Sequence, residues 1–194
     1  MATISNILEH WATIYKPLSH NPESNKLEER RFFRIRYIDL ENIFQRNANV
    51  MHDLVMLYSV ASTGHFKAAR QAEVSHQIWF LAKIKDSPQT LGFFDGRNQE
   101  MAARRLEDVV FDFVSYLMEV RKGVCPITKR SFMNDPQLVQ ELQAVNVESI
   151  SFGIMPQIIQ NSYLCAGVDW DALKPIYAFH CGSNGKYITP EENL

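Results

Sequence analysis

Apolar residues spaced three and four positions apart predict two amphipathic helices in this chain. One runs from Ile4 to Tyr15, and the other, which is much longer, has its apolar stripe between Leu106 and Val120. This is the period of a helix that buries one face. The basic residues at 121 and 122 suit the C-terminal end of the helix dipole, and Gly123 is a typical stop.

Three further apolar residues of the long helix, Phe111, Val114 and Met118, lie off its stripe. A helix that is apolar around most of its circumference has something packed on a second side. We therefore expect the long helix to contact either the protein's own loops or another subunit.

A two-residue alternation predicts a strand at 33–37. Phe33, Ile35 and Tyr37 fall on one face, and Arg34 and Arg36 fall on the other. This pattern is typical of a strand with one buried face and one wet face. The aromatic residues are thus expected in the core and the arginines at the surface.

Four more strands are predicted at 54–61, 77–84, 147–152 and 163–170. The run 54–61 is apolar on both faces and fits a central strand. Gly153 and Pro156 interrupt the first of the two late strands, which indicates a kink or an edge position because proline cannot donate to a sheet ladder. Between the strands at 54–61 and 77–84, the segment from Thr63 to Ser75 is too long for a tight turn, and within it Lys67 to Glu73 is predicted to form either a helical turn or an extended hairpin tip.

The remaining segments complete the predicted fold. Surface loops are predicted at 16–29 and 86–98, short helices after Asp39 and at 136–145, and a terminal hairpin within 176–188. This order of elements indicates an α+β domain with a mostly antiparallel sheet of about four to six strands, packed by the long helix and the N-terminal helix. We predict one such domain over residues 1–173, followed by a C-terminal arm or hairpin extension over 174–194.

Composition narrows the class of protein. The 194 residues are 46% apolar and 22% charged, with a formal net charge of −2. These values fit one globular domain and lack the basic excess that favours nucleic acid. Residues 1–9 do not have the pattern of a secretory signal, and no apolar run approaches the length of a membrane span. Since the three cysteines form no CxxC pair, we expect reduced thiols and a protein that is cytoplasmic on synthesis.

Familiar catalytic motifs do not occur in the chain. It contains neither of the two common glycine-rich phosphate motifs and no GxSxG elbow, and we assign no catalytic, cofactor-binding or metal-binding residue. Asp169 and Asp171 would share one face of a strand and, with His180, could form a metal-assisted site. The simpler interpretation is that the two carboxylates form the wet face of a turn.

The densest basic cluster of the chain comprises Arg30, Arg31, Arg34 and Arg36. RNA-binding sheets combine such cations with exposed aromatic residues. Here the alternation places the aromatic residues on the opposite face. We therefore favour a charged face that meets carboxylates, either those of Glu28 and Glu29 or those of another subunit, over a nucleic-acid surface.

The arrangement of elements resembles the tail terminator and tail completion proteins of tailed phages and of related contractile or tail-like modules. The resemblance is carried by the segments ISNILEHWATIY, RFFRIRYI, DLVMLYSVAS, HQIWFLAKI, AARRLEDVVFDFVSYLMEVRKG and VESISFGIMPQIIQNSYLCAGVDW, which span most of residues 4–170. It lies in the order of elements, so it transfers no residue's role.

The resemblance implies a non-enzymatic structural subunit that forms a homo-oligomeric ring, commonly sixfold, on a tail-tube-like protein. Such a subunit needs no cofactor and would be incorporated into a virion or an injection-type particle. Ring contacts need two different adhesive surfaces on each subunit. From composition and expected exposure, the predicted interface residues are Arg34, Arg36, His65, Phe66 and Tyr187. Two other functions stay open: a small metal-assisted enzyme, and a monomeric adaptor or immunity module that binds one protein partner.

Overall fold

A computed structural model describes residues 4–35, 52–59, 63–67, 71–84, 97–159 and 163–175. Within them, three α-helices and one mixed, mostly antiparallel sheet confirm the predicted α+β class. The helices are α1 (Ile4–Ile14), α2 (Arg97–Val120) and α3 (Pro136–Gln143). The strands are β1 (Phe32–Ile35), β2 (Leu54–Ser59), β3 (Thr63–Lys67), β4 (Gln71–Lys83), β5 (Ser151–Ile159) and β6 (Tyr163–Pro175).

The strands of the sheet lie in the order β1, β2, β4, β6, β5, and β3 pairs with the first part of β4. Among the described strand pairs, β1 and β2 run parallel and all others run antiparallel. β4 pairs with β6 along its whole length, from Gln71 opposite Pro175 to Lys83 opposite Tyr163. β3 and β4 pair from Thr63 opposite Ser75 to Lys67 opposite Gln71, so the extended hairpin is confirmed and the helical turn is wrong.

Both faces of the sheet are buried at its centre. On one face, the Phe80 ring meets Trp11 of α1 and Phe113 of α2 edge to face, with centroids 5.8 and 5.5 Å apart. The opposite face buries a smaller cluster of Ile35, Val55, Leu57, Trp79, Leu81 and Cys165. Burial on both sides explains the uninterrupted apolar run of β2 and confirms it as an interior strand.

The long helix α2 ends where its sequence predicts. Gly123 follows it with φ 81°, a left-handed conformation that glycine adopts without steric cost. Its N–H donates to the Val120 carbonyl at 2.8 Å. Of the three apolar residues that lie off the stripe, Val114 packs against the core, whereas Phe111 and Met118 are exposed.

β5 lies at one edge of the described sheet, as the glycine and proline in its sequence predict. Its pairing with β6 shifts register between Met155 and Ile159, on either side of Pro156. The predicted start of this strand is wrong, because Val147–Ser149 form a 3-10 turn. The side-chain oxygen of Asn146 accepts from the Glu148 N–H at 3.2 Å and stabilises this turn.

The segment 16–29 is not the purely surface loop that its polar composition predicts. Leu18 and His20 are buried within it. The Nδ1 atom of His20 accepts from the backbone N–H groups of Arg31 and Phe32 at 3.0 and 3.3 Å. This ring therefore ties the loop to the start of β1.

Several predictions lie outside the described residues: the short helix after Asp39, most of the loop at 86–98, the terminal hairpin and nearly all of the arm at 174–194. The short helix predicted at 136–145 is confirmed as α3. The Asp135 carboxylate accepts from the Leu138 N–H at 3.1 Å and caps it. Among the described helices, none has the length and apolar character needed to cross a membrane.

Candidate interaction surfaces

Among the five predicted interface residues, Arg34 alone has a side chain that the structure describes. This side chain bonds to other residues of the same chain. Its guanidinium donates to the two oxygens of Glu9 at 3.1 and 2.9 Å, and its Nε donates to the hydroxyl of Ser5. The bond from Arg34 holds the pKa of Glu9 below its usual value. Arg34 is exposed, as the predicted wet face of β1 requires, but its carboxylate partner is Glu9 of α1 and not Glu28 or Glu29.

The other predicted interface residues are placed only in part. His65 and Phe66 lie on β3, opposite Glu73 and Ala72 of β4. Arg36 and Tyr187 lie outside the described residues. Their role at an interface stays a prediction.

Asp169 and Asp171 share one face of β6, where their register partners are Gln77 and Ser75. The Ser75 hydroxyl donates to the Asp171 carboxylate at 2.6 Å. Burial raises the pKa of Asp169. The described part of the chain contains no group of three or more side chains suited to hold a metal ion, and His180 lies outside it.

The two described thiols lie in the core. Burial raises the pKa of Cys165 to about 12. Burial alone would also raise the pKa of Cys125, yet hydrogen bonds with Thr128, Ile127 and Tyr116 together outweigh it and lower the pKa. Because both thiols are buried, neither is presented to an external substrate.

Most of the exposed large apolar side chains in the described residues fall into two groups. The first, which we call the aromatic patch, consists of Phe111 and Met118 of α2 and Phe152 of β5. The rings of Phe111 and Phe152 meet edge to face with centroids 5.6 Å apart, although the two residues are 57% and 46% exposed. Residues seven positions apart share a helix face, so Met118 extends the same surface.

A cleft of about 450 Å³ opens beside Phe111. It is lined by Tyr15, Pro17, Arg105, Asp108, Val109, Phe111 and Asp112. The Tyr15 hydroxyl donates to the Asp112 carboxylate at 2.8 Å and fixes one wall. Two carboxylates, those of Asp108 and Asp112, and one guanidinium, that of Arg105, line the cleft, so the charge of its lining is net negative.

The second group lies on residues 122–133, which we call the basic loop. Ile127 and Met133 are 62% and 53% exposed, and Val124 is also exposed. Lys122, Lys129 and Arg130 are the exposed cations of the same segment. This loop therefore combines apolar side chains with positive charge.

Backbone hydrogen bonds hold the basic loop in one conformation. The Cys125 N–H donates to the Arg130 carbonyl at 2.9 Å, and the Phe132 N–H donates to the Gly123 carbonyl at 2.8 Å. Val124 and Ser131 form an antiparallel bridge between these bonds. The loop is thus a small hairpin that presents Ile127 near its tip.

The basic loop is the surface that reasoning from sequence missed. Residues 125–136 have no helical or strand period, so the sequence indicates only an irregular segment there. A usable signal is present, however, since four large apolar residues occur among three cations within 122–133, a stretch too short to bury all of them.

Comparison of the chain with models of known families, with curated proteins and with solved structures gives no match.

Proposed function

We propose that this protein is a non-enzymatic structural subunit that assembles with copies of itself, in the manner of the tail terminator and tail completion subunits that form a ring on a protein tube. The observation that supports this proposal is that the exposed large apolar side chains of the described residues gather mainly in two groups, the aromatic patch and the basic loop. Contiguous exposed apolar surface on a folded protein marks a place where another protein binds. Rings are built from contacts between two different surfaces of each subunit.

The rigidity of both surfaces favours an assembly role. The aromatic patch lies on a helix and a strand, and the hairpin bonds described above hold the basic loop. Surfaces that are already ordered lose little conformational entropy when they bind. The ring would then offer its remaining faces to a tail-tube-like partner.

Light scattering on a sizing column, across a wide range of protein concentration at moderate salt, tests self-assembly. We expect a discrete oligomer, or a monomer that shifts toward one discrete oligomer as the concentration rises. A strict monomer at every concentration would contradict self-assembly and would favour the monomeric adaptor instead.

A further inference from the structure

We infer that neighbouring copies meet head to tail, with the basic loop of one copy docked in the acidic cleft beside the aromatic patch of the next. This inference rests on the proposed function and names the two surfaces that touch. A contact of this kind leaves one cleft and one loop free on a dimer, and further copies fill them until the ring closes.

Shape supports this pairing. Ile127 projects near the tip of the basic loop, and the cleft of about 450 Å³ has Val109 and Phe111 among its walls. An aliphatic side chain that packs against the exposed Phe111 ring in this cleft removes apolar surface of both residues from water. Anchors of this kind dominate the affinity of protein interfaces.

Charge supports the same pairing. Asp108 and Asp112 outnumber Arg105 among the charged residues that line the cleft, whereas the exposed charged residues of the loop, Lys122, Lys129 and Arg130, are all cations. Rims of opposite charge steer two surfaces together and disfavour the contact of two like surfaces. A cleft-to-cleft or loop-to-loop dimer would instead bring like charges together.

One ion pair within the subunit can be replaced by an ion pair between subunits at this contact. Lys122 Nζ lies 2.5 Å from Glu119, and both side chains are more than half exposed. Ion pairs this exposed contribute little to stability. Lys122 can therefore turn to a carboxylate of the neighbouring copy at small cost.

Exchange of the charges between the two surfaces tests the inference. One variant carries Asp108→Lys and Asp112→Lys, and the other carries Lys129→Glu and Arg130→Glu. Each alone is expected to stay monomeric at concentrations where the wild type assembles, because like charges then face each other. An equimolar mixture is expected to restore an oligomer of wild-type mass, because the reversed cleft of one variant meets the reversed loop of the other.

Two controls accompany the exchange. Glu23→Lys with Glu28→Lys reverses two exposed carboxylates of the 16–29 loop, and this variant should assemble like the wild type. Ile127→Ser changes one exposed side chain without altering charge, and it should raise the concentration needed for assembly by about tenfold or more. Thermal melts confirm that each variant is folded.

The failures of the two proposals are distinguishable. If the wild type assembles and the folded charge variants assemble equally well, the head-to-tail contact is wrong and self-assembly stands. A mixture that fails to restore the oligomer, although both variants are folded, also overturns the contact. A wild type that never assembles contradicts both proposals.

Discussion

Two phenylalanines of α2 that lie two residues apart have opposite roles. Phe113 is fully buried, with ring centroids 5.1 Å from Trp11 and 6.2 Å from Trp170, whereas Phe111 is largely exposed. We expect Phe113→Ala to lower the free energy of unfolding by about 3–5 kcal/mol. Phe111→Ala should cost about 0.5 kcal/mol or less. Urea unfolding of both variants measures this contrast, and equal losses would contradict it.

His20 illustrates how one buried side chain can make stability depend on pH. Its Nδ1 accepts two backbone N–H bonds, so the proton of the neutral ring lies on Nε2, which is 3.7 Å from Glu9. Burial lowers the pKa of His20, and Arg30 and Arg34 act in the same direction while Glu9 opposes them. The folded protein thus favours the neutral ring.

A histidine whose pKa is lower in the folded than in the unfolded state stabilises the fold only while it is neutral. We therefore expect the free energy of unfolding to be highest above about pH 6.5, the ordinary histidine pKa, and to fall as the pH drops below it. Urea unfolding at about pH 7.5 and about pH 5.5 measures this loss without titrating most carboxylates.

The control for this pH effect is His20→Asn, whose Oδ1 can accept the same backbone bonds but does not titrate. Its stability should change less between the two pH values than that of the wild type. Some slope should remain, because burial also lowers the pKa of His10 and His52. An unchanged slope in the variant would show that His20 is not responsible.

Between elements, the ion pair of Arg34 with Glu9 fastens α1 to β1. Its side chains are 38% and 28% exposed, compared with 74% and 60% for Arg104 and Glu100, a pair within α2. A double-mutant cycle with Arg34→Ala and Glu9→Gln should give a coupling of about 1 kcal/mol, after allowance for solvent screening. The matched cycle with Arg104→Ala and Glu100→Gln should give a value near zero. Similar couplings in the two cycles would contradict a docking role for Arg34.

Elements whose pattern is local could be predicted from the sequence. α1 and α2 each repeat an apolar stripe, β2 is apolar on both faces because both faces are covered, and Pro156 marks β5 as an edge strand. The exposed part of the candidate site was predictable in the same way. Phe111 and Met118 lie off the stripe of α2, and both are exposed.

Features that depend on distant parts of the chain could not be predicted. His20 lies in a polar segment, and its burial depends on backbone donors of β1 that come eleven and twelve residues later. The exposure of Arg34 follows from alternation along β1, but its partner does not, because Glu9 lies on α1, 25 positions earlier. The partner of Phe152 is a helix residue more than forty positions earlier, so no local pattern connects them.

For the molecule as a whole, a formal net charge of −2 conceals a local separation of charge. The lining of the cleft beside Phe111 has two carboxylates and one guanidinium, whereas the exposed charged residues of the basic loop are all cations. A near-neutral chain of this kind has no long-range repulsion between copies, while its local charges still orient the encounter. Electrostatics should therefore govern how fast copies meet, and apolar contact how long they stay together.

Ionic strength distinguishes the electrostatic contribution to association from the apolar contribution to dissociation. Raising the ionic strength from about 0.1 to about 1 M shortens the screening length from about 10 to about 3 Å. We expect the association rate to fall by about tenfold while the dissociation rate changes little, because the apolar contact of Ile127 is not screened. Phe111→Ser removes apolar contact without changing charge, so it should mainly raise the dissociation rate and leave the association rate nearly unchanged. Fluorescence exchange between labelled subunits measures both rates, and an association rate insensitive to salt would contradict charge-steered docking of the basic loop.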